Sequence, residues 1–128
     1  MSAMRISDLA NAGGVGVETV RFYQRKGLLA APNGDAPGRR HYGNDDARRL
    51  RFVRKAQAAG FTLAQIAELI DLDRSDDRPR ARAMAKDRIA ALDVEIARLQ
   101  DARRSLSKLA RDCAHGTAGP CPILTAFD

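Results

Sequence analysis

From Pro79, which fits the first turn of a helix, no glycine or proline interrupts the chain until Gly116. Within that stretch Ala85, Ile89, Leu92, Ile96, Leu99, Arg103, Leu106, Ala110 and Cys113 fall alternately four and three residues apart. They form an apolar seam, broken only by Arg103, that persists for about four heptads. At about 1.5 Å per residue such a helix is roughly 50 Å long. The rest of a 128-residue chain makes too small a head to cover the stripe. The seam therefore calls for a partner helix, and a second copy of the chain is its simplest source. A homodimer is the expectation; the competing reading folds the helix back on its own domain.

Upstream the pattern changes to short helices. Ser7 is a candidate N-cap for "DLANA", and Gly13-Gly14 then breaks the chain. In "VGVETVRFYQRKGLL", Val17, Val20 and then Tyr23 or Gln24 recur at helical steps, with Gly27 where a C-terminal glycine belongs. Two short helices on a tight glycine turn predict a helix-turn-helix. "AAPNGDAPGRRHY" reads as a loop or small β-wing. Asn44 opens a helix with acids first and bases later, closed by Gly60, whose inner stripe is Leu50, Val53 and Ala56 or Gln57. Thr62 caps a further one that turns Leu63, Ile66, Leu69 and Ile70 inward.

Charge is concentrated. Residues 21–55 hold ten Lys and Arg against three acids, which accounts for the whole net charge of +6. Such a polycationic stretch favours nucleic acid or an anionic surface. No apolar run nears the roughly 18 residues of a membrane span, and "MSAMRISDLA" lacks the apolar core of a signal peptide, so a cytoplasmic protein is expected. The absence of Trp and the low aromatic content argue against a base-stacking single-strand binder. An enzyme is disfavoured too: the cysteines are not arranged C-x-x-C, no nucleotide-binding glycine motif occurs, and only two histidines could act as bases.

Taken in order, "VETVRFYQRKGLL", "GRRHY" and "RLRFVRKAQAAGFTLAQIAELI" resemble the MerR family of transcriptional regulators, from about residue 4 to 72. The resemblance implies a mainly α fold. Residues 1–75 would be a winged helix-turn-helix DNA-binding domain with two supporting helices, and 76–112 an antiparallel coiled-coil dimerisation helix. Residues 113–128 would be a metal-binding loop and tail. It also implies double-stranded promoter DNA as partner, with RNA polymerase on the same promoter and activation by distorting an overlong spacer. Residues 17–25 would enter the major groove with Thr19, Arg21 and Tyr23 at the DNA, while Arg39, Arg40 and Tyr42 of the wing hold the backbone. Arg suits this work because its planar fork matches phosphate or guanine. For Tyr23 the other reading is core packing, and for Arg25, Arg48 and Arg49 a solvated helix face.

The segment "CAHGTAGPCPIL" carries both cysteines, Cys113 and Cys121. In a reducing compartment such a pair points to metal binding or redox sensing before a structural staple. The resemblance places them at the metal ligands of the family's metal-sensing branch, and "CPIL" is close to the copper-efflux regulators. Two soft thiolates suit a two-coordinate soft ion, Cu(I) foremost, with Ag(I) or Au(I) as alternatives; Hg(II) also accepts two thiolates, and "VETVRFYQRKGLL" is as close to mercury-resistance regulators. Divalent sensors of the family often carry a third cysteine about 35 residues before Cys113; here that residue is Arg78. His115 and Arg78 are therefore auxiliary candidates, Arg78 as a cation compensating an anionic two-thiolate centre. The seam position of Cys113 leaves open a buried-hydrophobe role, and the pair leaves open a redox-switching disulfide.

Overall fold

The computed structural model describes residues 4–31, 41–116 and 119–126. The described residues are mainly helical and contain no strand: α1 (Ile6–Gly13), α2 (Val17–Arg25), α3 (Asn44–Ala58), α4 (Leu63–Ser75), α5 (Arg78–His115) and α6 (Pro122–Thr125). The chain divides into two compact units, Met1–Met84 and Ala85–Asp128.

In the first unit α1, α2, α3 and α4 close on one apolar core. Leu9, Val20, Leu28, Leu50, Val53 and Ile66 are essentially sealed from solvent. All but Leu28, which follows the end of α2, come from helical stripes at three- and four-residue spacing, which is why the head was visible as a pattern. Gly14 ends α1 in the left-handed region at φ 68° and lets the chain turn straight into α2. Gly27, at φ 77°, does the same after α2.

The start of α1 differs from the expectation. The N-cap is Arg5 rather than Ser7, and the Arg5 N–H donates to the Asp8 carboxylate at 3.0 Å. Asp8 satisfies the otherwise unpaired Arg5 donor, so the cap falls ahead of Ser7, and Ile6 is drawn against the core. The same device opens α3, where the Gly43 N–H donates to Asp46 at 2.8 Å. Thr62 and Gln65 cap α4 reciprocally, as a Thr followed three residues later by Gln should.

Of the expected wing, residues 32–40, including Arg39 and Arg40, lie outside the described residues. At its far edge Tyr42 forms an isolated antiparallel bridge with Met4, through bonds of 2.8 and 3.1 Å. α4 closes on Asp76, a non-glycine at φ 56°, and Asp77 caps α5 by accepting from the Arg80 N–H. Arg80 then turns back to α4 and grips Glu68 with two nitrogens, at 2.7 and 3.3 Å.

The second unit holds the body of α5 and the short α6. Its seam faces water within one chain: Ile89, Ile96, Leu99 and Leu106 are each about half exposed. The helix stops at His115, where Gly116 takes over, and α6 begins with Pro122 in its first turn behind Cys121.

Candidate DNA-binding face and thiol pair

The geometry of α2 follows from its stripe. Val20 and Tyr23 turn into the core, so Glu18, Arg21 and Arg25 share the opposite, exposed face. Arg21 meets Glu18 at 2.9 Å, with both side chains largely exposed. Such a surface pair is worth little, so it can orient the guanidinium and still release it to an anion. Thr19 is half-buried at the border of that face. Lys26 extends the positive charge past the helix end, its ammonium 5.7 Å from the Phe22 ring centre.

Both expected DNA tyrosines sit in the core. Tyr23 and Tyr42 are each only 5% exposed. The Tyr23 hydroxyl donates to the Gln57 side-chain oxygen on α3. The Tyr42 hydroxyl accepts from the Gln24 amide at 3.0 Å, and the same amide reaches the Ala30 carbonyl at 3.2 Å. Gln24 thus ties α2 to Ala30 and to Tyr42, on either side of residues 32–40. Sequence reasoning had it only as an alternative stripe residue. Arg54 was missed altogether: it donates at 2.9 Å to the Gly13 carbonyl and pins the α1–α2 turn to α3. No sequence signal links residues so far apart in the chain.

In the second unit the thiols come together. Cys113, in the last turn of α5, and Cys121, the residue before α6, place their sulfurs 2.9 Å apart; both are free and half-buried. The two sulfhydryls share a hydrogen bond in which either can donate, and this bond is the main reason the Cys121 pKa falls below the ordinary thiol value. The backbone N–H groups of Leu124 and Ile123 add to the effect, although neither closes a cap hydrogen bond of ordinary geometry. The same bond raises Cys113, helped by desolvation and by the charge on its neighbour. The shared bond therefore makes the two thiols unequal in acidity, Cys121 the lower in pKa and Cys113 the higher.

Among the described residues no group of three or more His, Cys, Asp or Glu converges to hold a metal. His115 is exposed and does not complete such a set. Arg78 begins α5 with its side chain 83% exposed and only a 3.6 Å pairing to Asp76. The donor set nevertheless fits a soft ion of low coordination number. With thiolate–metal bonds of about 2.3 Å, one ion can bridge sulfurs up to about 4.6 Å apart. A two-coordinate ion would need them near that limit, so from 2.9 Å the two sulfurs would have to separate to hold one.

Comparison with known proteins agrees with this architecture. Residues 4–73 match the family described as MerR HTH family regulatory protein, and residues 47–109 the one described as MerR, DNA binding. The HTH-type transcriptional regulator HmrR of Sinorhizobium medicae is 39% identical over 124 residues, covering 94% of this chain and 84% of that protein. A mercuric resistance operon regulatory protein of Pseudomonas fluorescens is 38% identical over 126 residues, covering 97% and 87%. Among solved structures, PbrR691 from Ralstonia metallidurans CH34 in complex with lead(II) superposes with a TM-score of 0.68 at 32% identity, covering 98% of this chain and 99% of that one. The helix-turn-helix head, the long helix after it and these matches make one case: the chain belongs to the MerR family of DNA-binding transcriptional regulators, and not to a family of enzymes.

Proposed function

We propose that this protein is a metal-responsive transcription regulator that binds promoter DNA as a homodimer in the cytoplasm. A soft thiophilic ion held by Cys113 and Cys121 converts that binding into activation, with RNA polymerase on the same promoter. The observation that carries the metal reading is the 2.9 Å approach of the only two sulfhydryls in the chain, with no convergent third donor among the described residues. Two thiolates alone favour Cu(I), with Ag(I) and Au(I) equivalent in kind. Hg(II) is the second reading, because it too accepts two thiolates and a relative at 38% identity is named as a mercuric resistance regulator.

The division of labour is 1–75 for DNA, 76–112 for dimerisation and 113–128 for the ion. On the DNA side the exposed face of α2 enters the major groove, with Arg21 and Thr19 at base edges or phosphates. Arg39 and Arg40 hold the backbone beside it. Tyr23 and Tyr42 act through packing: they set the tilt of α2 and the root of the wing. The exposed seam of α5 supports pairing with a second copy. When bound, the ion supplies a crosslink between the end of α5 and the segment that carries α6. Activation then draws on protein binding energy to bend and untwist an overlong spacer, a form of indirect readout.

In an antiparallel pair the start of one α5 lies beside the end of the other, which would bring Arg78 of the partner subunit near Cys113. A monovalent ion on two thiolates leaves one negative charge, and that cation offsets it. A divalent ion leaves none to offset.

The test is a promoter-driven transcription assay beside anaerobic titrations with Cu(I), Hg(II) and Zn(II). Cys113→Ser and Cys121→Ser should keep promoter occupancy and lose the metal response, and Arg78→Cys should gain a divalent response. A serine variant induced as strongly as the parent defeats the metal reading. An Arg78→Cys variant with an unaltered divalent response defeats the role given to Arg78.

A further inference from the structure

We propose that Cys113 and Cys121 also form a reversible intramolecular disulfide when a hydroperoxide oxidises them, and that the closed form cannot bind the inducing ion. The consequence for induction rests on the function proposed above; the disulfide itself does not.

Three observations carry it. First, the two sulfurs are already 2.9 Å apart, so bond formation asks for only about 0.9 Å of further approach to reach a bond of about 2.0 Å. Second, the loop between them has backbone points that can absorb such a movement: Gly116 directly follows α5, and Gly119 holds φ 91°. Third, the chain has no other cysteine, so no third thiol can divert the reaction within one chain. Both thiols are half-buried, open enough for a small peroxide and close enough for each to resolve the other.

The chemistry balances. One sulfur, as thiolate, attacks the outer oxygen of the hydroperoxide; the O–O bond breaks, an alcohol or water leaves, and a sulfenic acid remains. The second sulfur then attacks the sulfenic sulfur, its proton leaves with the hydroxyl as water, and the S–S bond closes. The pair loses two electrons and two protons, and the peroxide bond takes them up. A dithiol reductant reverses the change by thiol–disulfide exchange. A disulfide offers no thiolate, so ion binding and closure use the same two atoms and exclude each other. By linkage that exclusion runs both ways: the bound ion must protect the thiols as much as closure blocks the ion.

The experiment uses the full chain. Metal-free, reduced protein is treated with tert-butyl hydroperoxide under anaerobic conditions, then analysed by intact mass, free-thiol count and non-reducing electrophoresis. Cu(I) binding is measured before oxidation, after it, and after dithiothreitol. The expected result is loss of both thiols with two hydrogens fewer in mass and no covalent dimer. Cu(I) stoichiometry should fall to near zero and return on reduction, and protein preloaded with Cu(I) should retain more of its thiols than the metal-free form under the same treatment. A product that gains oxygen, links two chains, or binds Cu(I) as well as the reduced form overturns the proposal. If the disulfide forms but the reduced protein holds no ion, the proposed function fails while closure stands. If Cu(I) binds but oxidation yields sulfinate, closure fails while the proposed function stands.

Discussion

Gly13 is where one added methyl group tests the packing of the head most severely. It is the last residue of α1 and is buried. A Cβ built there would lie 2.3 Å from Leu50 Cδ2 and 2.6 Å from its Cγ. Leu50 is fully sealed in the core, so it cannot swing out into solvent. The backbone at Gly13 is not in the left-handed region, so alanine meets no conformational strain. Two effects then oppose each other. Helix propensity favours alanine by up to about 1 kcal/mol, and by less at a helix end. Overpacking a well-filled core costs about 1–3 kcal/mol. Because the overlap exceeds an ångström against ordinary contact, packing should win, and Gly13→Ala should destabilise the protein by about 1–2 kcal/mol. With an m-value of about 2 kcal/mol per molar urea, that lowers the midpoint by roughly 0.5–1 M at fixed protein concentration. Leu50→Ala alone should cost about 2–5 kcal/mol. The double variant should cost less than the sum by about 1 kcal/mol or more, since each change relieves the other. A neutral or stabilised Gly13→Ala protein, or strict additivity, would refute the claim that α1 and α3 meet through this contact.

Tyr23→Phe removes the hydroxyl bonded to Gln57 and should cost about 0.5–1.5 kcal/mol of stability, read from urea unfolding, while promoter affinity stays within about twofold. A large affinity loss with unchanged unfolding would instead make that hydroxyl a DNA contact. The thiols should separate by pH in iodoacetamide labelling followed by peptide mass analysis. Cys121, lowered first by the Cys113 hydrogen bond, should react at lower pH than an ordinary thiol, and Cys113, raised by the same bond, at higher pH. In Cys113→Ala the Cys121 profile should move up toward the ordinary range; an unmoved profile would assign its shift to the backbone N–H groups.

What a reader could extract from the sequence depended on whether the signal was local. Val17 and Val20 at helical spacing, Gly27 behind them and the Thr62–Gln65 cap each report on a few neighbouring residues, and each was legible. The cap of α1 shows how such a signal misleads. Ser7 has the stronger side-chain preference, but Asp8 reaches back to the Arg5 N–H and moves the boundary. Arg54 on Gly13 and Tyr23 on Gln57 join segments far apart in sequence, and no periodicity encodes a bond of that kind. Tyr23 carried two readings because its ring lies on the apolar stripe and its polar tip does not; the partner that separates them sits on another helix.

The thiol site divides in the same way. Its two residues were visible because cysteine is scarce here, and the break at Gly116 marked where α5 must stop. Their unequal acidity was not visible, because it depends on which sulfur donates and on backbone N–H groups that aim at Cys121 only once α6 has formed. Spacing therefore names the atoms that can grip an ion, whereas the folded loop decides which of them is first to become an anion. Ion capture, alkylation and oxidation all begin from that anion, so a substitution that unwinds α6 while sparing both cysteines should alter all three together.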